Sequence, residues 1–244
     1  ALVCADGDRA AAQAAADELA GMVRSLRHDF VLDLTPLAEI VRIAHSSDGM
    51  TLAADTGDAP TGGAAADNVA VLRGLIALGA DREPGLTLLT LCDPDAARVA
   101  TEAGRGTRIT VSLGHRFSVA DGVPLSVTAQ VLSVSDGRYV MRDPGAQGLA
   151  IDMGPTVVLG IGQIRLLVRT RPSMEWDREM YLSQGLDPSA ASLVFVKSPS
   201  HFRASFGPLA ARIFLADTPG ATRADIRGLP YRHVTRPLWP LDPE

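Results

Sequence analysis

Lysine is almost missing from this 244-residue chain: of 23 basic side chains, 22 are arginine and one, Lys197, is lysine. Cysteine is scarce as well. Cys4 and Cys92 are the only two, which excludes a disulfide framework and predicts small buried thiols in a reducing compartment such as the cytoplasm. The five histidines, His28, His45, His115, His201 and His233, stand in none of the His-x-His, His-x-x-x-His or Cys/His spacings of metal sites. No complete metal site is therefore expected within the chain. Aromatic residues make up 5%, the formal net charge is −5, and no basic stripe interleaves with aromatics. Nucleic acid is thereby excluded as the main partner. No apolar run approaches the roughly 18 residues of a membrane span, so no membrane partner is expected either.

What is present is ordinary globular material. Hydrophobic residues make up 46% and charged residues 21%, enough for one large domain or two small ones with a sizeable core. The opening residues, Ala1 to Ala5, read as the end of a strand already under way, with neither an initiator Met nor the layout of a signal peptide. The expectation is a fragment: residues 1–30 close a truncated N-terminal domain, and residues 31–244 form a second domain. Asp8 is placed to cap a helix over residues 9–30, in which Leu19, Met22, Val23, Leu26 and Phe30 recur at helical spacing. Thr35-Pro36 restarts a shorter helix that shows Leu37, Ile40 and Val41 on one face.

Residues 50–113 alternate strand and helix. Strands are predicted over 50–54, 86–91 and 108–113, with helices from Asn68 to Leu78 and from Asp93-Pro94 to Gly104. This βαβαβ rhythm implies parallel strands joined by crossovers. Residues 123–170 then read as an antiparallel meander, with strands at 125–134, 139–142, 157–159 and 164–170 separated by Gly-containing turns. Helical signal returns near Trp176 to Gln184. A strand over 193–196, a helix over 201–209 and a strand over 213–216 end the regular part, and the proline-rich tail from Leu229 to Glu244 is expected as extended chain. The fold class is thus α/β: a mixed sheet with a βαβαβ start, an antiparallel meander insertion and a final strand-helix-strand unit.

Two loops could carry chemistry. The first, residues 55–63, leaves the carboxyl end of a strand, where ligands of open α/β sheets bind. Gly62-Gly63 permits close backbone approach, and Asp55, Asp58 and Asp67 suit a hydroxyl, amine or cation better than a phosphate. The competing reading is a connection whose glycines serve turns and whose Asp67 caps the next helix. The second loop, residues 197–203, also follows a buried strand, and so should open on the same edge as Asp55. Lys197, Ser198, His201 and Arg203 there suit a carboxylate or other anion. A Ser198 nucleophile beside Lys197 or His201 is a further reading, without a strained Gly-x-Ser-x-Gly elbow to support it. In the structural reading, Ser200 caps a helix and His201 lies on the surface. Asp217-Thr218-Pro219-Gly220 reads as a turn, and Trp176 and Trp239 as packing residues.

The order of motifs resembles one family. Val196-Lys-Ser-Pro-Ser-His-Phe-Arg-Ala-Ser-Phe206, Asp217-Thr-Pro-Gly220, Leu229-Pro-Tyr-Arg232 and Arg236-Pro-Leu-Trp-Pro-Leu-Asp242 look like the C-terminal domain of the MlrC-like (microcystinase C) family. Ser135-Asp136-Gly137-Arg138 and Gly154-Pro-Thr-Val157 fit the same pattern. The resemblance runs from about residue 31 to the end. It implies a zinc metallopeptidase acting on a peptide or small amide, with zinc held by Asp and His residues of an N-terminal domain outside this fragment. That domain is then a partner within the same parent chain, and a homodimer is a second possible partnership. The family's glycine-rich loop reads like Asp-x-x-Asp-Asn-Pro-Gly-Gly-Gly. Here Asp55 and Asp58 match, Ala59 stands for the Asn, and Thr61 stands for the first Gly after Pro60. The resemblance implies substrate contact by Asp55, Asp58, Gly62, Gly63, Lys197, Ser198, His201 and Arg203, no catalytic or metal-binding residue within the chain, and a fragment inactive by itself.

Overall fold

The computed structural model describes residues 2–117 and 122–242. These fall into two compact units. One combines residues up to Asp33 with those from Asp225 onward; the other is Leu34–Ala224.

In the first unit, Asp8 accepts the Ala11 amide at 2.9 Å and caps α1 (Arg9–Ser25), as its position predicts. The helix stops short of residue 30 and passes into a 3₁₀ turn, Arg27–Phe30. Trp239 packs edge-on to His28 with 4.5 Å between ring centroids, and its indole donates to the Arg27 carbonyl at 3.2 Å. The strand expected at the start does not form among residues 2–5, where Leu2 is 93% exposed. A strand needs a neighbour to take its backbone groups, and no strand pairs with these residues among the described residues. Cys4 is exposed, against expectation, while Cys92 is buried.

The second unit carries a mixed sheet. Its strands are β1 (Met50–Asp55), β2 (Thr87–Cys92), β3 (Arg108–Leu113), β4 (Leu125–Ser135), β7 (Thr156–Ile161), β8 (Ile164–Arg169), β9 (Leu193–Val196) and β10 (Ala210–Ala216). The spatial order is β10-β1-β9-β2-β8-β7-β4-β3, and a separate hairpin pairs β5 (Arg138–Val140) with β6 (Ala150–Asp152). From β10 to β8 every pairing is parallel; from β8 to β3 every pairing is antiparallel. The α/β mixed sheet with its meander is as expected. One detail differs: β3 pairs antiparallel with β4 at the far edge, so only the first two strands of the βαβαβ rhythm are parallel. The burial of β3 explains why: its alternating exposed and buried residues suit a one-sided edge, whereas β1, β2 and β9 are buried throughout and occupy the parallel centre.

Helices cover the sheet. α2 (Leu37–Ser46) buries Ile40, Val41 and Ala44; α3 (Ala70–Ala77) buries Val71, Leu72 and Leu75; α4 (Pro94–Ala103) buries Ala96, Ala97 and Ala100. Together with Leu89, Leu91, Leu166 and Phe195 they form one core layer. The other face packs Leu52, Leu88, Val194 and Val196 against Met141, Met153, Tyr181, Phe202 and Phe206. The two helices on that side are shorter than their sequence signal: α5 is Glu179–Leu182 and α6 is Arg203–Phe206. Gly207-Pro208 ends α6 and leaves a 3₁₀ turn before β10.

Candidate functional site

Parallel pairing brings the carboxyl ends of β10, β1, β9, β2 and β8 to one edge of the sheet. Ala54 lies opposite Val196 in the β1/β9 register, so the next residues, Asp55 and Lys197, are neighbours although 142 positions apart in the chain. The Lys197 Nζ donates to Asp55 Oδ2 and to Asp58 Oδ2, both at 2.9 Å, and lies 3.5 Å from the Asn68 carbonyl. Lys197 is only 5% exposed, Asp55 3% and Asp58 2%. The anions that Lys197 meets are therefore its own chain's carboxylates.

Backbone donors complete the arrangement. Asp58 accepts the amides of Ala66 at 3.0 Å and Asn68 at 2.8 Å, which folds the loop back over its own carboxylate. The Thr218 hydroxyl, just beyond β10, donates to Asp55 Oδ1 at 2.6 Å and accepts the Gly57 amide at 3.1 Å. Thr222 accepts the Ala59 amide and donates to the Thr56 carbonyl, each at 2.9 Å. The β1 and β10 loops approach so closely that a Cβ on Gly57 would lie 2.5 Å from the Thr218 carbonyl oxygen. The supposed turn at Asp217–Gly220 is thus a second wall of the site.

Burial acts first on both members of the ion pair. Burial, joined by the nearby Asp55, raises the Asp58 carboxyl above its usual range against the pull of Lys197 and the Asn68 amide. Burial alone would lower Lys197, but the attraction of Asp55, then Asp58 and Glu175, outweighs it and raises the ammonium. Lys197 is charged at every physiological pH.

A second buried pair stands beside the first. Arg169 closes β8 and pairs through Nη2 with Glu175 Oε1; both side chains are fully buried. Glu175 Oε2 also accepts the Thr90 hydroxyl at 2.7 Å and the Lys197 backbone amide at 2.9 Å. Burial pushes the nearby Cys92 thiol up to about 11, with Arg169 opposing, so it is a protonated, inert packing group. Sequence reasoning missed Arg169, Glu175, Thr218 and Asn68. An Arg ending an apolar strand and a Glu set between Met174 and Trp176 were the available signals.

The expected site residues divide into two layers. Asp55, Asp58, Lys197 and Ser198 are buried; Gly62, Gly63, His201 and Arg203 are exposed. The Ser198 hydroxyl is buried without a partner among the described residues. Gly63 has φ of +97° and closes the turn Pro60–Gly62. His201 packs on Trp176 with 4.9 Å between ring centroids, and the Arg203 guanidinium lies over the Phe202 ring at 5.3 Å. Two capping expectations fail. Asp67 accepts the Phe117 amide at 2.7 Å and leaves the start of α3 to Asn68, whose side chain accepts the Ala70 amide at 2.8 Å. α6 has no side-chain cap, and its four residues are too few to offer the anion-binding terminus expected after Ser200.

Among the described residues no three His, Cys, Asp or Glu side chains are grouped to hold a metal ion. Asp55 and Asp58 come together, but Lys197 occupies the place between them. These residues do not fit a metal. No helix among the described residues is long and apolar enough to cross a membrane.

Comparison with known proteins places this geometry. Microcystinase C of a Sphingomonas species is 26% identical over 189 residues, which are 78% of this chain and 35% of that protein. A crystal structure from Mesorhizobium sp. BNC1, of a protein provisionally described as a metallopeptidase, matches with a TM-score of 0.85 and 26% identity over 98% of this chain and 47% of that one. The chain thus spans between a third and a half of these relatives. The family model described as the MlrC C-terminus matches residues 53–233, from within β1 to past the β10 loop and so across the whole strand-end edge. The chain belongs to the MlrC C-terminus family.

Proposed function

We propose that this chain is the C-terminal part of an MlrC-like peptidase or amide hydrolase, and that its strand-end edge lines the substrate cleft. The observation that carries the reading is the buried Lys197–Asp55–Asp58 cluster, which ties the β1 and β9 loops together where α/β sheets bind ligands. The named relatives supply the reaction class. Zinc, in this reading, is held by residues of an N-terminal domain of the parent protein, and no step of amide hydrolysis falls to residues of this chain.

Within the cleft the two layers have different work. Lys197, Asp55 and Asp58 act as positioning residues, because their charges are satisfied by one another. His201 and Arg203, with the exposed backbone of Gly62 and Gly63, meet the peptide or small amide; Ser198 stays with the buried layer. The test is peptide hydrolysis by the full-length parent. His201→Ala should raise KM with little change in kcat and stability, whereas Lys197→Ala should lower activity together with thermal stability. Unchanged hydrolysis in both variants refutes the site assignment. Absence of phosphonate labelling at Ser198 would dispose of a serine nucleophile.

A non-catalytic docking or dimerisation module is the second reading. It is favoured by α1, none of whose residues is buried and whose Leu19, Met22 and Val23 stand 44%, 52% and 55% exposed. That face would take the parent's N-terminal domain or a second copy of the chain, and light scattering distinguishes the two. A reducing, cytoplasmic setting agrees with the two unpaired thiols.

A further inference from the structure

We infer that Trp176 and His201 form a preorganised platform for a planar side chain of the substrate, either an aromatic ring or a guanidinium. The inference rests on reading the strand-end edge as a peptide cleft, and it gives Trp176 a role beyond packing.

The argument begins with the neighbours of Trp176. Glu175 and Asp177 are both fully buried, and both are tied down. Glu175 takes Arg169, Thr90 and the Lys197 amide. Asp177 accepts the amides of Arg142 and Asp143 with Oδ2, at 2.5 and 2.7 Å, and the Glu179 amide with Oδ1 at 2.9 Å. Residues 172–177 carry no helix or strand. Between these two anchored acids Trp176 is partly buried: its indole packs against the core layer that includes Phe202 and Phe206 and leaves part of its surface accessible.

His201 is fixed to the same frame. The Ser205 hydroxyl accepts the Arg178 amide at 3.0 Å, so the segment bearing His201 is tied to the segment bearing Trp176. The two rings lie 4.9 Å apart and tilt by only 31°. His201 is exposed, so its outer face is open to solvent. A rigid stacked pair with one free face binds flat π groups with little ordering cost. Arg and aromatic rings share that chemistry, whereas a small aliphatic side chain does not.

The chain has two tryptophans, Trp176 and Trp239. Their indole N–H resonances can be followed separately in the ¹⁵N-labelled 244-residue protein, with Trp239→Phe supplying the assignment. The probes are N-acetyl amides of phenylalanine, arginine and alanine. The phenylalanine and arginine amides should shift the Trp176 signal saturably and leave Trp239 still, and the alanine amide should do neither. His201→Ala, an exposed substitution, should weaken binding about two- to tenfold while circular dichroism and Tm hold. Saturation by one planar probe alone would narrow the platform to that class. A Trp176 signal unmoved by both planar probes, an equal response to the alanine amide, or full affinity in His201→Ala overturns the inference. Binding without hydrolysis by the parent would leave the platform standing and remove the peptidase reading; hydrolysis without binding would do the reverse.

Discussion

Replacing Lys197 by Met keeps most of the side chain's length and removes its charge. Two carboxylates, 3% and 2% exposed, then face each other with no cation between them. Removing one partner of a buried ion pair costs about 3–5 kcal/mol, because the partner left behind stays desolvated. At about 2–4 °C per kcal/mol for a protein of this size, Tm should fall by about 6–20 °C. The loss must also depend on pH. Lys197 has a raised folded-state pKa, so its contribution is complete below the unfolded value of 10.5 and fades only as pH climbs through the higher folded value. It is present in full at neutral pH. Asp58 has the same sign, in a lower pH range. Its folded pKa is already above the unfolded 3.8, so the folded state holds the extra proton and gains stability as pH falls. Without Lys197, two influences that hold Asp58 down disappear and its pKa rises further. The variant should therefore regain stability on acidification, at up to about 1.4 kcal/mol per pH unit for one proton taken up. Urea unfolding at pH 8 and pH 5 measures both quantities. The expected result is a large deficit at pH 8 that narrows at pH 5, and a further recovery when Asp55→Asn and Asp58→Asn are added. A deficit below about 1 kcal/mol at pH 8, or one that stays constant with pH, would show that the cluster is not a desolvated ion pair.

Arg169→Met should be as damaging, about 3–5 kcal/mol in urea unfolding, since it strands the fully buried Glu175; pairing it with Glu175→Gln should return part of the loss, and Trp176 emission should redden in the single variant only. Thr218→Val removes a hydroxyl that both donates to Asp55 and accepts from Gly57, so about 1–3 kcal/mol should go, measured the same way. Gly57→Ala should lower Tm more than Gly63→Ala: the first drives a Cβ to 2.5 Å from a backbone oxygen, while the second, at φ +97°, meets no atom within 4 Å and bears backbone strain alone.

Local pattern was enough to find most of this sheet. The four consecutive apolar residues of β9 announced a strand buried on both faces, and the Asp–Pro start of α4 announced its helix. From those alone, Asp55 and Lys197 could be assigned to strand ends on one edge. What stayed hidden is pairing. No local signal says that β9 inserts between β1 and β2, because that position is decided by which strands can bury both faces at once. The direction of β3 was hidden for the same reason. Helix length on the outer side failed differently. The apolar spacing of residues 201–209 suits a helix, yet Gly207 and Pro208 cut it to four residues. The buried partners Arg169, Glu175 and Thr218 were invisible because each is polar, and a polar residue announces burial only through the partner it meets across the fold.

The scarcity of lysine then has a physical reading. Between Asp55 and Asp58 the space admits one compact cation, with a carboxylate oxygen at 2.9 Å on two sides and a carbonyl at 3.5 Å on a third. A tetrahedral ammonium, with three rotatable donors, matches three separate acceptors. A planar guanidinium with five donors in a rigid fork does not, and it would leave some of those donors buried and unpaired. Arg169 illustrates the contrast: it reaches one carboxylate of Glu175 and the Arg171 carbonyl, and its Nη1 finds no partner among the described residues. A chain that otherwise uses arginine keeps lysine at the place where arginine's shape fails. Lys197 is thus better explained by the geometry of the loop it fastens than by proton transfer.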